Sequence, residues 1–438
     1  MAPLPIYCAR YWHKIARDRN ARSVSVGDEV LVATEIPGHL GESPRETLGF
    51  GRIEMIEDQA LHIVGMNGGH LFQPPKPRCG QGDLSRRRGN RRAPRASDPR
   101  RPTGSVVSER IVMMDESVVT LSDISLPGRA GDDAFHLATY QAGSGPAVVF
   151  CHGFPDLAMG WQHQLPAVAA AGFHAIAADG RGYGGSSCPH AIDAYTMTEL
   201  TGDLVALLDK LDIDKAVFVG HDWGGWVVWA MAILHPTRVA GVAAACTPYI
   251  PFPSLQKHID LVEGDIERQY VAWFQEDGTP EAYMDQHVET IVRNTLRTSA
   301  PLAEIHAAAF ADGKLNMNPF WNIENAPVTG NPLPSETDIE RYIEQFTRTG
   351  FRGGINWYRN IDRNAADHPG VGIDPIDAPC LMLTAELDPA LRPSFAEGME
   401  DRCSDLEIHL IENAGHWVQQ EQAEVFNDHL VRWLQRNF

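Results

Sequence analysis

Four apolar residues, Ala216-Val217-Phe218-Val219, run straight into Gly220-His221-Asp222-Trp223-Gly224-Gly225, and then into the apolar stretch Trp226 to Leu234. The first run predicts a buried parallel strand and the last a buried helix. A tight turn must join them, and it needs small residues where the helix comes back close to the strand. Gly220, two before Asp222, and Gly224, two after it, fit that need. The turn lifts one side chain, Asp222, at the carboxyl end of the strand, where open parallel sheets bind ligands.

This strand–turn–helix is a nucleophile elbow, and many hydrolases carry a serine at its centre. A carboxylate cannot form the acyl-enzyme that serine forms. Attacking an sp3 carbon, it forms an alkyl ester, so the substrate has to carry a strained or departing group on carbon, such as an epoxide or a halide.

The rest of the chain divides into three zones. Residues 1–73 hold β-like pieces (Glu29 to Ala33, Ile53 to Ile56, Leu61 to Val64) too few to fill a core, and they have no readable role. Residues 74–110 form a basic linker; its part from 74 to 104 is mostly Pro, Gly and Arg, offers almost nothing to bury and is expected to be disordered. The Arg86 to Arg101 cluster is read as a solvated linker rather than an RNA or membrane contact. A competing expectation is that the native chain starts at Met113 or Met114 and that the upstream residues are an over-extended reading frame.

Beyond residue 110, strands and helices alternate. Eight strands are expected: Val118 to Ile124, Phe135 to Tyr140, Ala147 to Cys151, His174 to Ala178, Ala216 to Val219, Val239 to Ala245, Cys380 to Thr384 and Glu407 to Ile411. Helices lie between them, such as Met197 to Leu211 with Leu200, Leu204, Leu207 and Leu208 on one stripe. The pattern predicts an α/β fold, a mostly parallel eight-stranded sheet flanked by helices, with core segments 111–248 and 376–438. The rhythm stops over 249–375, which predicts a helical lid inserted after the sixth strand, with helical pieces at Ile266 to Gln275, Pro280 to Arg297 and Ser335 to Arg348.

Charge and cysteine usage narrow the partners. The net charge is −20, but residues 1–110 carry 18 basic and 12 acidic side chains, leaving a balance of −26 for the remainder. An acidic main domain disfavours nucleic acid and anionic membranes and suits a neutral small molecule. No apolar run is long enough for a membrane span, and Met1 to Asn20 lacks the apolar core of a secretory signal. Seven cysteines without a CxxC pair fit a reducing cytoplasm. The expected partners are a neutral substrate and, at most, a second copy of the chain.

Asp222, Asp388 and His416 follow one another in the order nucleophile, acid, base, each expected at the carboxyl end of a strand. A carboxylate on one ring nitrogen of His416 fixes the tautomer and favours the imidazolium, while the other nitrogen deprotonates water. Glu386 competes with Asp388 for the acid's role. His152-Gly153-Phe154-Pro155 follows the Ala147 to Cys151 strand, where an oxyanion-hole loop belongs. The backbone N–H groups of Phe154 and Trp223 are expected to point at the ester carbonyl of Asp222, with Pro155 fixing the turn.

With these motifs in place, residues 117–438 resemble the epoxide hydrolases of the α/β-hydrolase fold, of the soluble or microbial cytosolic type. The matching segments are His152 to Pro155, Asp179 to Ser187, Gly220 to Gly225, Gly415-His416-Trp417 and, most specifically, Thr349 to Asn360 with its Asn356-Trp357-Tyr358-Arg359. The resemblance implies that Tyr358 is one of two lid phenols that bind the epoxide oxygen. An earlier lid segment, Gln269 to Gln275, points to Tyr270 as the other, with Tyr249 and Tyr283 as rivals and Tyr342 as a packing residue. Trp273, Phe274 and Trp357, with Pro155, are expected to line the pocket. The route implied needs no metal and no organic cofactor.

Two other functions use the same scaffold. A haloalkane or haloacid dehalogenase also has an Asp nucleophile, but holds its halide with Trp or Asn N–H donors and needs no phenol pair. A non-catalytic binding protein of this fold usually lacks a member of the triad, and here all three are present. A serine esterase is excluded by the aspartate at the elbow.

Overall fold

The computed structural model describes the backbone of residues 29–36, 45–57, 60–65, 106–114, 117–127 and 134–438, and the side chains of 119–126 and 135–438. The expected disordered stretch 74–104, its arginine cluster and the first twenty residues lie outside these. Two compact units are present. In the first, the three β-like pieces form an antiparallel sheet of β1 (Glu29–Ile36), β2 (Arg45–Glu57) and β3 (Ala60–Gly65), with an irregularity in β2 between Ile53 and Met55.

The main sheet contains all eight expected strands and a ninth at its edge. Its strands are β4 (Val106–Met114), β5 (Ser117–Pro127), β6 (Ala134–Gly143), β7 (Ala147–Cys151), β8 (His174–Ala178), β9 (Ala216–His221), β10 (Val239–Ala245), β11 (Cys380–Ala385) and β12 (Leu406–Ile411). They lie in the order β12-β11-β10-β9-β7-β8-β6-β5-β4. The expected linker therefore gives way to a strand at Val106, where β-branched residues replace the Pro, Gly and Arg before them. From β8 through β12 the pairing is parallel, whereas β6 runs antiparallel to both β5 and β8.

Every residue of β7, β9 and β11 is buried, so helices cover both faces of the sheet, as continuous apolar runs require. The helix Met197–Lys210 buries Leu200, Leu204, Leu207 and Leu208. After β7 the chain moves to β8 on one side and later returns to β9 on the other. This reversal brings the loops that leave β7 and β9 side by side, the crevice where open α/β sheets place their ligands.

The insertion between β10 and β11 is helical, with segments from Leu255–Leu261 to Ile361–Asp367. Glu336–Thr349 matches expectation, but the helix expected over Pro280 to Arg297 is two, Thr279–Met284 and Val288–Thr295. Polar side chains at the break bind backbone elsewhere: Asp285 accepts the N–H of Phe351 at 2.9 Å, and His287 Nδ1 contacts the carbonyl of Tyr283 at 2.7 Å. The His287 contact is a local alternative to the helix ladder, which favours a break. Among the described residues no helix is long and apolar enough to cross a membrane.

Candidate active site

Asp222 sits between β9 and the helix Trp223–Leu234 with φ 52° and ψ −121°, a backbone conformation that costs a non-glycine residue about 1–3 kcal/mol. The turn is held on both sides. The Asp222 carbonyl accepts the N–H of Gly225 at 2.9 Å and the hydroxyl of Thr247 at 2.7 Å. A Cβ on Gly224 would lie 2.0 Å from the carbonyl oxygen of Cys151 at the end of β7, so only glycine lets the helix start there.

The loop after β7 meets the carboxylate from the other side. Phe154 N–H donates to Asp222 Oδ1 at 2.9 Å, and the peptide Phe154–Pro155 is cis. A Cβ on Gly153 would fall 2.4 Å from the same Oδ1, so glycine there keeps the approach open. Burial raises the pKa of Asp222, and the charge of His416 and the N–H groups of Phe154 and Trp223 oppose that rise. Both expected oxyanion donors thus act on this carboxylate.

His416, in the loop after β12, faces two carboxylates. Its Nδ1 lies 2.9 Å from Asp388 Oδ2, and its Nε2 lies 3.8 Å from Asp222 Oδ2, within ion-pair reach but beyond a hydrogen bond. Asp388 Oδ1 accepts the N–H groups of Ala390 and Leu391, each at 2.9 Å. Burial alone would raise the Asp388 pKa, yet the charge and hydrogen bond of His416, with those two N–H groups, hold it well below the usual carboxylate range. Burial likewise works against the His416 cation, but the charge and hydrogen bond of Asp388, then the charge of Asp222, outweigh it and bring the pKa up to about 9. The rival Glu386 takes the N–H of Asn413 at 2.9 Å instead.

Tyr270 opens the short helix Tyr270–Trp273, and Tyr358 lies near the end of the helix Arg352–Arg359. Their ring centroids are 5.5 Å apart with the planes at 78°. Tyr358 also packs edge-on against Trp223 at 5.0 Å and Phe154 at 5.4 Å, the two oxyanion-loop residues. Burial pushes both phenols up, Asp222 adds to it, and a hydrogen bond from the Tyr358 side chain eases Tyr270. The phenols are therefore neutral donors facing the nucleophile.

The hydroxyls of Tyr249, Tyr283 and Tyr342 are committed elsewhere. That of Tyr249 donates to the Asp374 carbonyl at 2.7 Å, that of Tyr283 accepts the N–H of Ile323 at 3.0 Å, and that of Tyr342 donates to Asp156 Oδ1 at 2.6 Å.

Of the expected pocket residues, Phe274 joins this group, 5.1 Å from Tyr358 and 5.5 Å from Phe154 between centroids, and Pro155 is buried beside Phe154. Trp273 packs on Phe274 at 5.7 Å and Trp357 on Trp223 at 6.1 Å between centroids. Trp273 also packs on Tyr283 and Trp321 within the insertion, and Trp357 donates its indole N–H to the Arg181 carbonyl at 3.2 Å.

Several supporting residues carried no sequence signal beyond lying next to a motif. His221 is fully buried; its Nε2 meets the carbonyl of His416 at 2.7 Å, and burial holds its pKa down at about 3, so it stays neutral. Glu421 accepts the N–H groups of Ser299 at 3.1 Å and Trp417 at 3.2 Å, tying the base loop to the insertion. Asp156, fully buried after Pro155, anchors Tyr342. Among the described residues one grouping, His221, Cys246 and His416, brings metal-ligand atoms within 4.8 Å of one another. Its members already serve the triad: His221 and the Cys246 thiol, at 3.4 Å, both contact the His416 carbonyl.

Residues 146–423 match the family profile of the alpha/beta hydrolase fold. The chain is 40% identical over 300 residues to the bifunctional epoxide hydrolase 2 of Mus musculus, covering 67% of this chain and 52% of that protein. It thus spans about half the length of the mammalian relatives it matches. It is also 40% identical over 301 residues to the epoxide hydrolase A of Mycobacterium tuberculosis, covering 66% of this chain and 90% of that protein. Among solved structures, that of epoxide hydrolase A from Mycobacterium thermoresistibile superposes with a TM-score of 0.61 at 37% identity, over 75% of this chain and 98% of that one.

Proposed function

Because the chain belongs to the epoxide hydrolases of the α/β-hydrolase fold, we propose that it converts an epoxide and water to a vicinal diol through an alkyl ester on Asp222. The observation that carries this reading is the pair of neutral phenols, Tyr270 and Tyr358, set against a carboxylate whose Oδ1 is held by Phe154 N–H. A halide would need N–H donors, whereas the Trp357 indole N–H already binds the Arg181 carbonyl and the Trp223 side chain hydrogen-bonds the Tyr358 phenol. That argues against dehalogenation.

The steps follow from the geometry. Asp222 Oδ2 attacks a ring carbon, the ring C–O bond breaks, and the alkoxide takes a proton from a phenol, which is far more acidic than the alcohol formed. Esterification removes the charge of Asp222, one of the groups that hold the His416 pKa up at about 9. His416 then becomes a better-populated base and takes a proton from water as the water adds to Cγ. Negative charge on Oδ1 meets the Phe154 and Trp223 N–H groups. The ester C–O bond breaks, one water hydrogen completes the second hydroxyl and the other restores the phenol.

We read the helical insertion as a lid and residues 74–105 as a linker. We read the location as cytoplasmic, which the free thiols of Cys151, Cys188, Cys246, Cys380 and Cys403 fit. The direct test is diol formation on a panel of neutral epoxides with Asp222→Ala as control. Absence of diol from the unaltered chain, or equal turnover by the variant, overturns the reading.

A further inference from the structure

Arg359 follows Tyr358 but points away from the nucleophile, and its side chain is 3% exposed. A guanidinium has five N–H donors, and each is used here. Nε donates to the Phe274 carbonyl at 2.8 Å, Nη1 to Glu281 Oε1 at 2.5 Å and Asn356 Oδ1 at 2.9 Å, and Nη2 to the Glu276 carbonyl at 2.6 Å and Glu281 Oε2 at 3.0 Å. The two carbonyls belong to the chain that leaves the helix Tyr270–Trp273, while Arg359 ends the helix that carries Tyr358.

A second bridge runs the other way. Gln275 Nε2 donates to the carbonyl of Val271, next to Tyr270, at 2.9 Å and to the carbonyl of Tyr358 at 3.2 Å. Glu281 anchors the whole from the helix Thr279–Met284, where it also accepts Arg352 Nη1 at 2.8 Å and the Gly278 N–H at 3.0 Å.

We propose that Arg359 and Gln275 are positioning residues that set the separation of the two phenols, and so act on ring opening and not on ester hydrolysis. Neither touches Asp222 or His416 in the structure. Tyr270 sits on a helix of only four residues, which has too few ladder hydrogen bonds to fix a side chain by itself. A planar fork reaching two carbonyls and a carboxylate supplies that rigidity, and lysine, a point charge with three donors, does not. The inference rests on the epoxide reading of the site.

The test separates the two half-reactions. The full chain and its Arg359→Lys variant are mixed with a styrene-type epoxide, and Trp fluorescence follows formation and decay of the alkyl-enzyme. Displacing a reacting group by about 1 Å can lower a rate by up to about a hundredfold, so alkylation should slow by roughly ten- to a hundredfold, with hydrolysis within about twofold. In a Tyr270→Phe background the Arg359→Lys loss should shrink, because the hydroxyl it misplaces is gone. Gln275→Met, which leaves the buried ion pair intact, should show the same signature and carries the test if the lysine variant does not fold. Equal slowing of both half-reactions, or losses that add fully to Tyr270→Phe, overturns the proposal. An unaltered chain that opens no epoxide overturns the reading beneath it instead.

Discussion

His416 keeps its Nδ1 2.9 Å from Oδ2 of Asp388, whose other oxygen is fixed by two backbone N–H groups. The imidazole therefore has one orientation, with Nε2 turned to the carboxylate it must free. Replacing His416 by Gln should leave ring opening intact and stop hydrolysis. Intact-mass spectrometry should then show the chain heavier by the mass of the epoxide. Asp388→Asn should lower turnover by as much as about 10⁴-fold, the loss found when the orienting carboxylate of a Ser-His-Asp triad becomes an amide.

The protonation of His416 also links stability to pH. Its folded pKa of about 9 lies above the ordinary value of 6.5, so its contribution is fully present below that ordinary value and is lost as pH rises through 9. Asp388, whose pKa is depressed, contributes above the ordinary carboxylate pKa and loses that contribution as pH falls through its lowered one. Urea midpoints should thus decline between about pH 6.5 and about pH 9 in the unaltered chain and decline less in His416→Gln.

The two phenols share one task. Tyr270→Phe and Tyr358→Phe should each slow alkylation, and the double variant should lose about 10²- to 10⁴-fold in diol formation, the usual worth of a positioned acid. Tyr249→Phe and Tyr283→Phe, whose hydroxyls bind backbone, should keep turnover near that of the unaltered chain.

Gly153→Ala places a methyl where Asp222 Oδ1 now receives Phe154 N–H. Turnover should fall by about 10²- to 10³-fold, the worth of one oxyanion donor. Circular dichroism should show the fold retained.

What the sequence disclosed follows local chemistry. The elbow was legible because a strained turn beside a close-packed helix admits few residues, and the order Asp222, Asp388, His416 placed each at a strand end. The ninth strand was hidden because Val106–Met114 follows a basic stretch that obscures a short apolar run. Tyr270 and Tyr283 look alike in sequence and are separated only by where their hydroxyls end. Arg359 needed the fold outright, because its partners Phe274, Glu276 and Glu281 lie some eighty residues earlier.

The central claim is that Asp222 forms a covalent ester with the substrate. A single turnover with enzyme in excess, run in water labelled with the heavy oxygen isotope, tests it most directly. Peptide mass spectrometry should find the label in the Asp222 carboxylate and the first diol unlabelled. Label in the diol with none in Asp222 would mean that water attacks the epoxide directly, and would contradict the account.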